Sequence, residues 1–183
     1  YFGTSDDKDI VFKRNAQKSG ILGINLTSFG FQSLSANSSG THNTAIGSNA
    51  LNKNTTGYQN VSIGSYSLAN NTSGNQNSAT GTYSLNQNTI GNLNSTLGTY
   101  SLNQNTTGSQ NSAIGSGALQ FNTTGYQNTA IGSYSLKQNI SGLFNTAIGS
   151  YASANLTTGS YNTVVGYNSG TGLTEGSNNT IIG

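Results

Sequence analysis

Apolar residues return along this chain at a fixed interval. Phe29, Ile46, Ile63, Leu97, Ile114, Ile131, Ile148, Val165 and Ile182 stand 17 residues apart or a multiple of it, with Thr80 as the one polar break. Five residues beyond each comes a second apolar column: Leu34, Leu51, Leu68, Leu85, Leu102, Leu119 and Leu136, giving way to Ser153 and Gly170. Polar positions keep the same beat. In register the unit reads G-x-x-N-[ST]-[AS]-I-G-[ST]-Y-[SA]-L-x-x-N-[TI]-[TS], without insertion or deletion from Gly23 to Gly183: nine full copies and the first eight residues of a tenth. A globular core needs different side chains in each part, whereas a repeat of this length marks one unit of a stack. Two short β-rich segments flank the second Gly, and 17 residues accommodate a coil of two short strands and two turns at about 3.3 Å per strand residue. The Gly, Ser, Thr and Asn content opposes helix. The expected fold is therefore all-β, a parallel β-roll or β-solenoid over residues 23–183, preceded by a charged N-terminal β segment or cap over residues 1–22.

Stacked coils place like residues above one another at about 4.8 Å. The fourth column, Asn43, Asn60, Asn77, Asn94, Asn111, Asn128, Asn145, Asn162 and Asn179, is then expected to form a structural hydrogen-bonded ladder, with Leu26 as the exception in the first copy. Two glycines per unit suit corners with positive φ or close backbone approach. One Ile and one Leu make a thin core for each coil, which predicts further burial against neighbouring chains. The small sixth position (Ala45, Ser62, Ala79, Ala113, Ala130, Ala147) would let another coil come near. An oligomer is expected, of a size these considerations do not fix.

Composition narrows the function. Charged residues are 5% and hydrophobic ones 32%, yet Pro is absent and β-formers recur on schedule, which argues for order. A net charge of +2 and the lack of a basic run with interleaved aromatics argue against nucleic-acid binding. There is no Cys, hence no disulfide or thiolate metal site, and no apolar run of membrane-helix length. The chain begins at Tyr1 and stops within a repeat at Gly183, which reads as a piece of something longer.

The block N-[ST]-A-I-G-[ST], followed by small residues and Leu, resembles the head repeats of trimeric autotransporter adhesins. The spellings "NTAIGSYSLKQNISG" (128–142) and "NTTGYQNTAIGSYSL" (122–136) resemble still more the repeats of phage and bacterial tail-fibre-domain proteins. The opening "YFGTSDDKDIVFKRNAQKSGILG" is similar to the short β segment that precedes such repeats there. The resemblance implies a left-handed parallel β-roll with two strands per coil, three chains side by side, and a non-enzymatic fibre or head that reaches a surface. The 17-residue period is longer than that of most adhesin heads, so the coil should be larger at one corner.

Candidate sites are few. One His (His42) and one Glu (Glu175) leave no material for a paired nucleophile or a repeated carboxylate pair, so no catalytic residue and no cofactor is expected. "GTGLTEG" (170–176) lacks the Lys of a phosphate loop and fits a degenerate corner, with Leu and Asn both lost from the ninth coil. Asp6, Asp7, Lys8, Asp9, Lys13, Arg14 and Lys18 crowd the first 22 residues. "DDKD" offers oxygens to Ca²⁺ but lacks a Ca²⁺-loop spacing, so no metal site is expected and the charges read as a solvated cap. Asn54, Asn105, Asn122 and Asn139 lie in N-x-[ST] sequences that composition alone explains. The tenth column, Tyr66, Tyr83, Tyr100, Tyr134 and Tyr151, interrupted by Gly117, is the candidate glycan-binding stripe, its first role being ring stacking.

The expected protein is thus a segment of an extracellular homotrimeric fibre, a virion tail fibre or a bacterial surface adhesin. It serves attachment to a host or cell through a surface glycan or protein receptor, with no nucleic acid and no membrane insertion in this segment. Two rivals are a monomeric ice-binding solenoid and a spacer without a ligand. The mixed fifth column (Thr44, Val61, Ser78, Ser95, Ser112, Thr129, Thr146) spoils the uniform face that ice binding needs.

Overall fold

The computed structural model describes residues 9–183, in which all regular structure is β. A hairpin comes first: β1 (Ile10–Arg14) and β2 (Gln17–Leu22) pair antiparallel through Asn15 and Ala16, which adopt φ of 50° and 61°. β2 pairs antiparallel with β3 (Leu26–Phe29), and Phe12 rests 5.8 Å from Phe29 between ring centres. From β3 onward each step is parallel: β4 (Asn43–Ile46), β5 (Val61–Ile63), β6 (Ser78–Thr80), β7 (Ser95–Leu97), β8 (Ser112–Ile114), β9 (Thr129–Ile131), β10 (Thr146–Ile148), β11 (Thr163–Val165) and β12 (Thr180–Ile182). All twelve form one sheet in chain order. Thr129, Thr146 and Thr163 stand side by side, so the sequence period is the register. The chain is a parallel β-solenoid of 17-residue coils.

Each coil holds one strand, not two. Past the corner glycine the tenth and twelfth residues are both left-handed, as in Tyr66 (φ 57°) and Leu68 (φ 48°). A pleated strand needs φ near −120°, so two such residues bend the segment into turns. Its backbone ladder persists regardless. Leu68 N donates to Ser84 O at 3.0 Å, Asn70 N to Asn86 O at 3.0 Å and Thr72 N to Thr89 O at 2.9 Å. A left-handed Leu is strained by about 1–3 kcal/mol, but the bend aims its side chain inward, and Leu34, Leu51, Leu68, Leu85, Leu102 and Leu119 are wholly buried.

The core also differs from expectation. In a strand, neighbours point to opposite faces. The sixth position faces in: Ala45, Ala79, Ala113, Ala130 and Ala147 pack against the Leu column. The seventh faces out, leaving Ile46, Ile63, Ile114, Ile131 and Ile148 about 40% exposed. In the coils where one Leu and two buried Asn already fill the interior, the sixth position holds a small residue; in the last two copies, where that set is incomplete, Val164 and Ile181 take its place against the core. The small sixth position is therefore spent inside the coil rather than on an approaching neighbour. In the eighth and ninth coils, where Ser153 and Gly170 have displaced Leu, Leu156 and Leu173 enter the core from the fifteenth position. The leucine has moved rather than vanished.

Corner glycines of the eighth column permit this stacking. Gly64 has φ +130°, and a Cβ there would stand 2.6 Å from the Gly81 carbonyl carbon and oxygen. Over the first coil lies Lys18, whose Nζ donates to Leu34 O at 3.3 Å. Burial holds its ammonium below the usual lysine range, opposed in part by Asp9.

Candidate functional site

The fourth-column asparagines form a continuous internal ladder. Asn94 Nδ2 donates to Asn77 Oδ1 at 3.1 Å and to Gly108 O at 2.9 Å, while its Oδ1 accepts from Asn111 N at 3.0 Å and Asn111 Nδ2 at 3.2 Å. The same pattern links Asn43, Asn60 and Asn77 above, and Asn111 and Asn128 below. Asn145, Asn162 and Asn179 continue it. From Asn43 to Asn162 the coils thereby satisfy buried amides that no water reaches.

A second ladder escaped sequence reasoning. Asn37, Asn54, Asn71, Asn88, Asn105, Asn122 and Asn139 join Nδ2 to Oδ1 at 2.8 Å in the fifteenth column. Their phase was readable, but composition accounted for Asn-Thr pairs well enough to hide it. Asn54, Asn105, Asn122 and Asn139 are wholly buried, so the folded chain does not offer them to a glycosyltransferase. The ladder ends at Asn139, whose buried Oδ1 has no partner because Leu156 follows it.

On the surface, the tenth-column tyrosines fall into two stacks. Tyr66, Tyr83 and Tyr100 lie parallel at 5.1 and 5.3 Å, within 3° of coplanar orientation. Tyr134 and Tyr151 form the second, at 5.3 Å and tilted by 31°. Gly117 separates them, with the Tyr134 ring leaning over it. Lys137 Nζ lies 5.0 Å from the Tyr134 ring centre and 5.8 Å from that of Phe121. A further aromatic run, Tyr126, Phe144 and Tyr161, straddles the second and third columns, which is why a single-column reading passes over it.

Beside the start of the first stack is a hollow of about 220 Å³ lined by Tyr66, Tyr83, Asn52, Lys53, Asn70 and Asn86 among others. Its amides are held in place: Asn86 Nδ2 donates to Tyr66 O at 2.8 Å, and Asn52 Nδ2 to Gln32 O at 3.0 Å. Lys53 Nζ reaches Asn70 Oδ1 at 2.8 Å.

His42 and Glu175 stand in the second and ninth coils and do not meet. Among the described residues no three His, Asp or Glu side chains come together. Asp6, Asp7 and Lys8 of the "DDKD" stretch lie outside the described residues. No helix among them is long and apolar enough to cross a membrane. No protein-family model matches the chain, and no match occurs among curated proteins or solved structures.

Proposed function

We propose that this chain is a non-enzymatic segment of a trimeric extracellular fibre, of the phage tail-fibre or bacterial surface-adhesin kind, that serves attachment to a host or cell surface. One observation carries the reading. The outward seventh column forms an apolar stripe along the sheet, broken only at Thr80, from Phe29 at 43% exposure through Leu97 at 54% to Ile148 at 40%. Single exposed apolar residues are ordinary on a surface, but a row of them with one polar break along an otherwise polar rod points to protein contact. Every coil but the one carrying Thr80 presents an apolar residue at the same angle, which suits association with copies of itself. Closed symmetry satisfies all copies equally, and the thin core of each coil gains from the added burial. The spelling of the repeat favours three chains and a fibre. Ten parallel strands, β3 to β12, span about 43 Å at about 4.8 Å per step. Such a rod sets distance and presents each weak surface site in triplicate, so avidity supplies strength that one site lacks.

Light scattering after gel filtration tests the reading. The expected mass is three times 18.8 kDa, and Ile114→Lys with Ile131→Lys is expected to release folded monomers. A native monomer overturns the trimeric fibre and advances the ice-binding solenoid, which a thermal-hysteresis measurement then decides.

A further inference from the structure

We propose that the hollow at the start of the Tyr66 stack is a subsite for a pyranose bearing a carboxylate, the sugar class found in acidic surface polysaccharides. The inference rests on the attachment reading and adds a place and a chemistry to it. Stacked rings cover one another: Tyr83 lies between Tyr66 and Tyr100 and has no free face. The stripe as a whole is therefore not a platform for sugars. An open aromatic face exists only where a stack begins or ends. At the far end of the first stack Tyr134 leans over Gly117, and the Tyr134 face is itself met by Lys137.

The near end differs. The tenth residue of the preceding coil is Asn49, whose amide turns aside to donate to Ser48 Oγ at 3.1 Å. The space left beside Tyr66 belongs to the 220 Å³ hollow, which is smaller than the roughly 300 Å³ of sites for drug-sized ligands and suits one sugar ring. Its polar groups match such a ring. Asn52 Oδ1 accepts no hydrogen bond among the described residues and is free for a sugar hydroxyl. Lys53 uses one of its three donors on Asn70, leaving two.

Charge selects the class. From Ile24 to Thr174 the chain carries two formal charges, Lys53 and Lys137, and no carboxylate. An ammonium in a hollow with no acidic neighbour along those coils favours an anionic ligand, held by a charge-assisted hydrogen bond. Lys137 is occupied by its rings and supplies an internal control.

The test is calorimetric titration of the full 183-residue chain with trigalacturonate and with its methyl ester. Binding of the acid, weaker with added salt, is expected, with little binding of the ester. Lys53→Gln is expected to lower affinity about tenfold, as loss of one charge-assisted hydrogen bond would. Tyr66→Asn, which places in this column the residue already found at Asn49, should abolish binding, and Lys137→Gln should leave it unchanged. Equal binding of acid and ester overturns the proposal, as does an equal effect of the two lysine variants. A folded chain that ignores trigalacturonate overturns it too; if that chain is a trimer, the fibre reading stands without this subsite.

Discussion

Asn94 shows what a single residue does in this molecule. Its side chain makes four hydrogen bonds across three coils while 1% exposed. Asn94→Ala would strand the Asn111 N–H in a site that water does not reach, while the Gly108 carbonyl keeps its donor from Asn105 Nδ2, at a cost of about 2 kcal/mol. Asn103→Ala removes one bond, to Tyr83 O at 3.0 Å, from a partly exposed residue and should cost less than about 1 kcal/mol. Urea denaturation of the two variants checks the difference. At this scale a polar residue fixed between apolar columns identifies the ladder position from sequence. The direction of the seventh-column side chains was not equally legible. Period-two alternation says that Ala and Ile face opposite ways, but which way depends on how much room Leu85 and the two Asn columns leave inside. Residue types do not carry that volume until the coil closes.

The element that sequence misjudged is the segment from the ninth to the fourteenth position. Tyr, Ser and Leu in succession favour a strand by composition, yet Leu85 at φ 51° and Tyr83 at φ 56° make it a chain of turns with strand-like ladder bonds. Burial of the Leu outweighs its local preference. The same exchange governs the eighth coil, where Ser153 and Leu156 reverse the usual Leu and Asn. Leu156→Asn alone would give Asn139 Oδ1 a donor but empty the core, and a loss of about 2–4 kcal/mol is expected. Adding Ser153→Leu restores the repeat and should return stability to within about 1 kcal/mol of the parent or above it. Thermal unfolding of the two single variants and the double variant measures this coupling. A coupling near zero would mean that the two positions do not share core volume.

Over the whole molecule, length is quantised. Removing residues 108–124 joins Thr107 to Gly125 in phase, so the shortened chain should fold with its unfolding still cooperative and the rod about 5 Å shorter. Removing one residue fewer turns every following Leu and Asn out of register and should abolish cooperative unfolding. Circular dichroism during heating distinguishes them. Carboxylate titration has no hold on the rod from Ile24 to Thr174, where the coils contain no Asp or Glu. Lys18 in the hairpin is a different case: with its ammonium disfavoured by burial, it contributes stability only as pH rises past the folded value through the ordinary lysine range near 10.5. Solenoid class and coil boundaries were legible at this scale because an unbroken period dictates translation.

That translation carries a hazard which the antiparallel start resolves. From β3 to β12 every step looks alike, so a chain slipped by one whole coil would still set Asn on Asn and Ala beside Ala. Within the repeat the landmarks are few (Thr80, Gly117 and the exchange at Ser153 and Leu156), as on a zip fastener whose teeth are nearly identical. The β1–β2 hairpin breaks the symmetry: its strands run against each other, and β2 accepts only the opposite-running β3. It acts as the box at the foot of the zip, a place among the described residues where the count of teeth is fixed.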